Sequence, residues 1–453
     1  MGLDAPTSQL MELKVVAEMP EVVVPAEPTP EGAFYLSNID QVVNFYVETV
    51  YFFKANAAKG VDNVAEVLKE ALSKLLVPYH FLAGRLTLNM QQMRMEIDCN
   101  RAGVLFTKST TDLSISDLGD VSLPNPLFRS LILLPKDADT VSEAPIMTAQ
   151  VTLFKCGGFC LGHYMNHAVM DGISALKFLN NWCSIAKGEG LTLPPSLDRT
   201  LLSARSPPSP VFDHPEFVKL SDMPTNTSFT TTDAIGAQFK GTSAPINHVF
   251  QIFPFTAQEL ESLKQHALSD PSISKCSTFE AIVAHVWQAR SKSVAAAPDQ
   301  QCKIFFAVDF RNRIYPPLPS NYVGNAVVAP LVQVQHADLI SNSLSFCVRK
   351  IQQCMECVTD EYVRSSIDWW ETYKGVPAFL GEILVSAWWK IPFETVDFGW
   401  GKPIYAGPVV NDRSEFILLL SNGKRDGGLN IYLALLPEEM AKFEQNIKVP
   451  SMS

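Results

Sequence analysis

Apolar residues recur along this chain with two different periods, and the switches between them mark out strands and helices. Val64, Val67, Leu68, Leu72 and Leu75 share one face at helical spacing, which predicts a helix over Val61–Leu76. Met147–Leu153 and the run that begins at Phe159 read as two strands of a hairpin, reversed tightly at Gly157-Gly158. In the second strand Phe159, Leu161, His163, Met165 and His167 share one face. Leu176, Leu179, Trp182 and Ala186 then recur at helical spacing, so His167 stands at a strand-to-helix junction. Further on, Asn247–Phe255 reads as a strand and Ile304–Val308 as a buried one. Thr256–Ala267 reads as a helix opened by a Thr256/Glu259 capping box, and Ser277–Val294 as another.

Two polar, proline-rich or small-residue segments interrupt this pattern, Leu191–Pro215 and Ser221–Ser243. Together they read as a long crossover. The division expected is an N-terminal domain over 1–190, a crossover over 191–245 and a C-terminal domain over 246–453. Strands alternate with helices on both sides of it, an α/β pattern.

The chemistry concentrates at His163-Tyr164-Met165-Asn166-His167-Ala168-Val169-Met170-Asp171-Gly172. A histidine at a strand end projects from a rigid scaffold, and its near-neutral pKa suits it to take a proton from a hydroxyl. Asp171, four residues on, has two readings. It is the third member of a triad, or it caps the following helix, where a carboxylate satisfies free amides; the cap is the preferred reading. His163, His167 and Asp171 also make a metal-ligand set on paper. On a strand the two histidines would stand roughly 13 Å apart, so no metal is expected. Far downstream, Asp397-Phe398-Gly399-Trp400-Gly401-Lys402-Pro403 predicts a tight loop, since two glycines weaken any regular element.

Composition narrows the partners. The 453 residues carry 18% charged and 47% hydrophobic side chains, a globular balance with room for two cores. A net charge of −11 argues against nucleic acid and anionic membrane. No apolar run approaches the roughly 20 residues of a membrane helix. The first residues resemble no secretory signal, so the expected compartment is the cytoplasm. The nine scattered cysteines, the Cys354/Cys357 pair included, are read as ordinary reduced thiols.

At this point the chain resembles the BAHD family of plant acyl-CoA-dependent acyltransferases. That family is marked by His-x-x-x-Asp-Gly near the middle and Asp-Phe-Gly-Trp-Gly near the end, here at His167 and Asp397. Other runs agree: Ser37–Gln41, Tyr79–Arg85, Leu197–Leu202, Asp309–Arg313, Pro316–Pro319 and Asn321–Asn325. The resemblance implies two similar α/β domains, each a mixed sheet flanked by helices as in chloramphenicol acetyltransferase, with a solvent channel between them. It implies that a segment around 381–403 packs back on the N-terminal domain. It implies that acyl-CoA is a co-substrate, with no bound cofactor, and that the protein is a monomer.

The resemblance also distributes roles. His167 is the general base toward an acceptor hydroxyl or amine, and no covalent acyl-enzyme is required. Asp171 is a strut toward an arginine of the second domain, with Arg311 as candidate partner, and Gly172 admits close approach. Asp397, Gly399, Trp400 and Gly401 are architectural. Ser386 would bond the acceptor, and the Trp388 indole N–H would donate to the oxyanion. CoA phosphates need a local basic patch in an acidic protein. Lys275, Arg290, Lys292, Lys303, Arg311 and Arg313 supply one, or else form an ordinary solvated face. Ser277, Thr278, Arg290 and Arg313 are the candidate contacts, the first two at a helix start.

Relatives that use shikimate hold its carboxylate with an arginine. Between Ser365 and Asp412 this chain has no arginine, and near the expected place, roughly a dozen residues before Ser386, stands only Lys374, which is not an equivalent fork. The run Asp360–Asp368 resembles relatives that esterify fatty alcohols or ω-hydroxy fatty acids with hydroxycinnamates. The expectation is therefore hydroxycinnamoyl transfer to an aliphatic hydroxyl. Shikimate, quinate, a polyamine or a small alcohol are the alternative acceptors. A non-catalytic homologue usually lacks the histidine, and a peptide-synthetase condensation domain has two adjacent ones where Asn166-His167 stands here.

Overall fold

The computed structural model describes residues 13–123, 125–135, 143–222, 247–378, 382–409, 415–424 and 426–449. The strands of the first half are β1 (Tyr46–Phe53), β2 (Val104–Thr111), β3 (Met147–Phe154) and β4 (Phe159–Asn166). The second half contributes β5 (Val249–Phe255), β6 (Gln301–Phe306), β7 (Leu331–Gln335), β8 (Ile383–Ser386), β9 (Tyr405–Pro408), β10 (Phe416–Ser421) and β11 (Leu429–Leu435). They build two mixed sheets. The first runs β2-β3-β4-β1-β9, with short strands Val16–Ala17 and Glu21–Val23 beyond β2. The second runs β5-β11-β10-β8-β6-β7, with β8 parallel to both its neighbours.

Helices cover these sheets: α1 (Val64–Leu75), α2 (Gly172–Ala186), α3 (Ala257–Leu268), α4 (Thr278–Ser293), α5 (Leu344–Cys357), α6 (Asp360–Tyr373) and α7 (Pro437–Asn446). Leu68 and Leu72 of α1 and Phe178 and Trp182 of α2 bury their faces against Val151 and Leu161 of the first sheet. The Trp182 indole donates to the Leu68 carbonyl at 2.9 Å. Trp287 of α4 and Phe443 of α7 pack on Ile431 and Leu433 of the second sheet. Each such side chain contributes roughly 1.5–3 kcal/mol when taken fully from water.

The predicted hairpin is present as β3 and β4, antiparallel with Ala149 opposite His163. Its strands are buried on both faces: odd-numbered Leu161 and Met165 face the helices, and Cys160 faces a second, smaller core with Phe52 and Phe128. The strand expected at Ile304 starts earlier, at Gln301, because Gln301 pairs with Gln335 and the ladder outruns the apolar residues. The crossover expectation over 221–243 falls almost wholly on 223–246, outside the described residues.

β9 has the topology that matters most. It follows β8 in the chain but joins the first sheet, with Ala406 opposite Tyr51 of β1. β8 itself remains in the second sheet, so the return to the first half runs through Trp388–Lys402.

His163 is part of this core. Its ring stacks on Tyr51 at 5.6 Å, and Nε2 lies 3.3 Å from the phenol oxygen. Burial pulls its pKa down to about 4. The sign follows: the unfolded chain binds the proton first, so stability falls as pH drops from about 6.5 toward 4. The urea midpoint should fall over that window, and a His163→Phe variant should lose less of it. Equal pH dependence in the two proteins would show that His163 does not drive the loss.

Candidate active site

His167 begins a three-residue turn, His167–Val169, between β4 and α2. The turn is held almost entirely through its main chain. The His167 N–H donates to the Phe45 carbonyl at 2.6 Å. The Asn166 side chain caps the turn, its Oδ1 accepting from Ala168 N at 2.9 Å. Asn325 Nδ2 donates to the His167 carbonyl at 2.9 Å. Arg199, from the start of the crossover, donates to the carbonyls of Ala168 and Val169. Arg199 is 2% exposed and pairs with Asp40 at 2.8 Å. Asp40 in turn accepts from the Asn325 backbone at 3.1 Å and from its side chain at 2.8 Å.

The imidazole is half-buried, and its centroid lies 5.0 Å from the Phe45 ring. Burial pushes its pKa below the ordinary histidine value, although Asp171, its own carbonyl, Asn325 and Asp40 pull the other way. The ring is therefore neutral at physiological pH, the form that takes a proton.

Asp171 is fully engaged elsewhere. As N-cap of α2 it accepts from Ser174 N at 3.0 Å. Both its oxygens lie 2.8 Å from Arg311 Nη2, and one accepts from Ala326 N at 2.9 Å. Arg311 is 7% exposed and also reaches Asp309 at 3.2 Å. This strut joins the two halves. At Gly172 a Cβ would fall 2.3 Å from Ile391 Cδ1, on the segment returning toward β9.

The Asp397 motif lies in the first core. Asp397 Oδ1 accepts from the amides of Gly399 and Gly401 at 2.8 and 3.0 Å. Both glycines have positive φ, +95° and +106°, which side chains rarely adopt. Trp400 donates to the Gly60 carbonyl at 2.9 Å under the Lys59 ammonium. Phe398 packs edge-on against Phe53 and Trp182.

Ser386 ends β8, and Trp388 follows in the next turn, 5.9 Å from the Phe393 ring. The Trp388 indole N–H and the Ser386 hydroxyl make no hydrogen bond to a described residue.

The proposed CoA contacts are not brought together. Arg313 donates to the carbonyls of Met355 and Val358 at 2.6 and 3.2 Å, so its guanidinium caps α5. Arg290 is half-buried in the last turn of α4, at the opposite end from Ser277 and Thr278. The α4 start is already occupied: Glu280 accepts from Ser277 N at 2.8 Å, and Ser277 Oγ accepts from Glu280 N. An anion there would meet the Glu280 carboxylate. Lys390 lies 4.5 Å above the ring of Phe279, in the first turn of this helix. Lys303, another of the predicted bases, pairs with Glu382 at 3.2 Å.

No group of three His, Cys, Asp or Glu among the described residues could hold a metal ion, and His163 faces Tyr51 rather than His167. No described helix is long and apolar enough to cross a membrane. Cys354 and Cys357 are free thiols. Asp40, Arg199 and Asn325 escaped the sequence reading as functional residues. Each stood in a run quoted for family likeness, but nothing in the spacing says that three distant runs meet on one turn.

Comparison with known proteins places this arrangement among transferases. The profile described as "Transferase family" matches residues 13–449. The chain is 38% identical to "Acyltransferase GLAUCE" of Arabidopsis thaliana, over 97% of each chain. It is 36% identical to "Omega-hydroxypalmitate O-feruloyl transferase" of the same plant, over 96% of this chain and 93% of the relative. "Fatty alcohol:caffeoyl-CoA acyltransferase", also from Arabidopsis thaliana, is 35% identical over 96% and 98%. Among solved structures, vinorine synthase superposes with a TM-score of 0.71 at 20% identity, over 95% and 96% of the two chains. F. sporotrichioides TRI101 complexed with coenzyme A and T-2 gives 0.72 at 17% identity, over 91% and 97%.

Proposed function

The chain belongs to the Transferase family, the BAHD acyltransferases, and on that footing we propose that it moves a hydroxycinnamoyl group from its CoA thioester to the hydroxyl of a long-chain alcohol or ω-hydroxy fatty acid. The observation that carries the reading is a neutral, half-buried imidazole on a turn fixed from three sides. His167 removes the acceptor's O–H proton as the oxygen attacks the thioester carbonyl. A C–O bond forms, and the carbonyl oxygen becomes an oxyanion, toward which the Trp388 N–H would donate. The C–S bond then breaks, and the CoA thiolate takes the proton back from the imidazolium. Proton and electron pairs balance without an acyl-enzyme.

The acceptor class rests on charge. Shikimate carries a carboxylate that must be paired once it leaves water. The base nearest in sequence to the place of that arginine, Lys374, is bound to Glu371 at 3.1 Å and lies 4.7 Å from the Trp370 ring centroid. Glu371 is shared with Asn38 and Arg94, so the cations here already have an anion. An alkyl chain needs no such partner and gains roughly 0.8 kcal/mol per buried methylene. With feruloyl- or coumaroyl-CoA, kcat/KM should rise as the alcohol lengthens from a few carbons to about a dozen, and shikimate should be poor. A matrix of acyl-CoAs against acceptors, read by mass spectrometry, tests this. Shikimate outperforming every aliphatic alcohol would replace the aliphatic reading.

A further inference from the structure

The two nitrogens of the His167 ring have different surroundings. Nδ1 is buried and makes no hydrogen bond among the described residues, and Oδ1 of Asn325 is likewise buried and unsatisfied. A buried donor and a buried acceptor left alone are unfavourable, and neighbours in that state are each other's natural partner. The Asn325 amide cannot be turned round to escape this. Its Nδ2 donates to Asp40 Oδ1 and to the His167 carbonyl, both pure acceptors, so the oxygen must lie at the remaining end. Asp40 is locked in turn by Arg199.

We propose that Asn325 is a positioning residue for the base: its Oδ1 takes the Nδ1 proton of His167, which leaves the lone pair on Nε2 for the acceptor. The Arg199–Asp40 pair orients the asparagine. This rests on the reading of His167 as base, and it gives the third place in the base's support to Asn325 rather than Asp171, whose oxygens are held by Arg311, Ala326 and Ser174. A base oriented by a third group is a general device, and an amide can fill that place.

Other groups facing the ring are accounted for. Asp171 and Asp40 favour its charged form, and each is paired with an arginine. The ring's own carbonyl and the Asn325 side chain each raise its pKa. Removing Asn325 therefore lowers the pKa of His167.

The test uses the full-length protein. In 15N-histidine spectra near neutral pH, with His167 assigned by a His167→Gln variant, Nδ1 should carry the proton. Asn325→Leu keeps the bulk and removes the amide. It should lower kcat by about tenfold or more and shift the acidic limb of kcat/KM to lower pH, with little change in KM for acyl-CoA. A purely structural asparagine would lower the active fraction and leave the limb where it is. The proposal is overturned by a protonated Nε2 in the wild type, or by an unmoved limb in a variant that retains its melting transition. If the variant does not fold, the wild-type spectrum decides alone. Failure of the base reading shows up separately, as activity surviving in His167→Ala.

Discussion

His167→Ala should lower kcat by about 10²–10⁴-fold while acyl-CoA binding stays near its original strength. The expectation follows from position. The imidazole projects from a turn held by hydrogen bonds to its main chain, which fall on the His167 and Ala168 amides and the carbonyls of residues 167 to 169. Truncation at Cβ removes the proton acceptor and leaves the supports in place. Steady-state rates with a fixed acyl-CoA, together with CoA binding by calorimetry, check both halves of the statement. Retention of more than about a tenth of the activity would remove His167 from the role of general base.

Asp171→Ala should cost about 3–5 kcal/mol of stability, because it takes from the buried Arg311 its buried carboxylate and leaves it the partly exposed Asp309 at 3.2 Å. Two further donors, Ser174 N and Ala326 N, lose their acceptor at the same time. The urea midpoint should fall sharply. A double variant, Asp171→Ala with Arg311→Met, should recover part of the loss, since the buried guanidinium is gone and the Asp309 carboxylate left behind is partly exposed. Should Asp171→Ala keep its midpoint and lose only kcat, the carboxylate acts in the chemistry and the strut reading fails.

The fold was legible where one physical signal dominates. The hairpin of β3 and β4 follows from apolar runs around Gly157-Gly158, and the capping box at Thr256 is a local bond three residues apart. The loop at Asp397 was legible because glycines at 399 and 401 announce a backbone that other residues avoid. Long-range pairing was not. Asp40 to Arg199, and both to Asn325, spans most of the chain, and no periodicity encodes it. Charge is readable along 275–313, but its partners are not: Arg313 caps α5, and Glu280 holds the α4 start.

β9 has a consequence for how the chain is made. Until residue 408 has left the ribosome, β1 presents a bare edge, and the Trp400 and Phe398 pockets beside it are unfilled. An exposed edge next to apolar surface is where nascent chains stick to one another. A fragment ending before the return segment should therefore be insoluble when expressed alone. Supplying a peptide over 388–409 during refolding should rescue it.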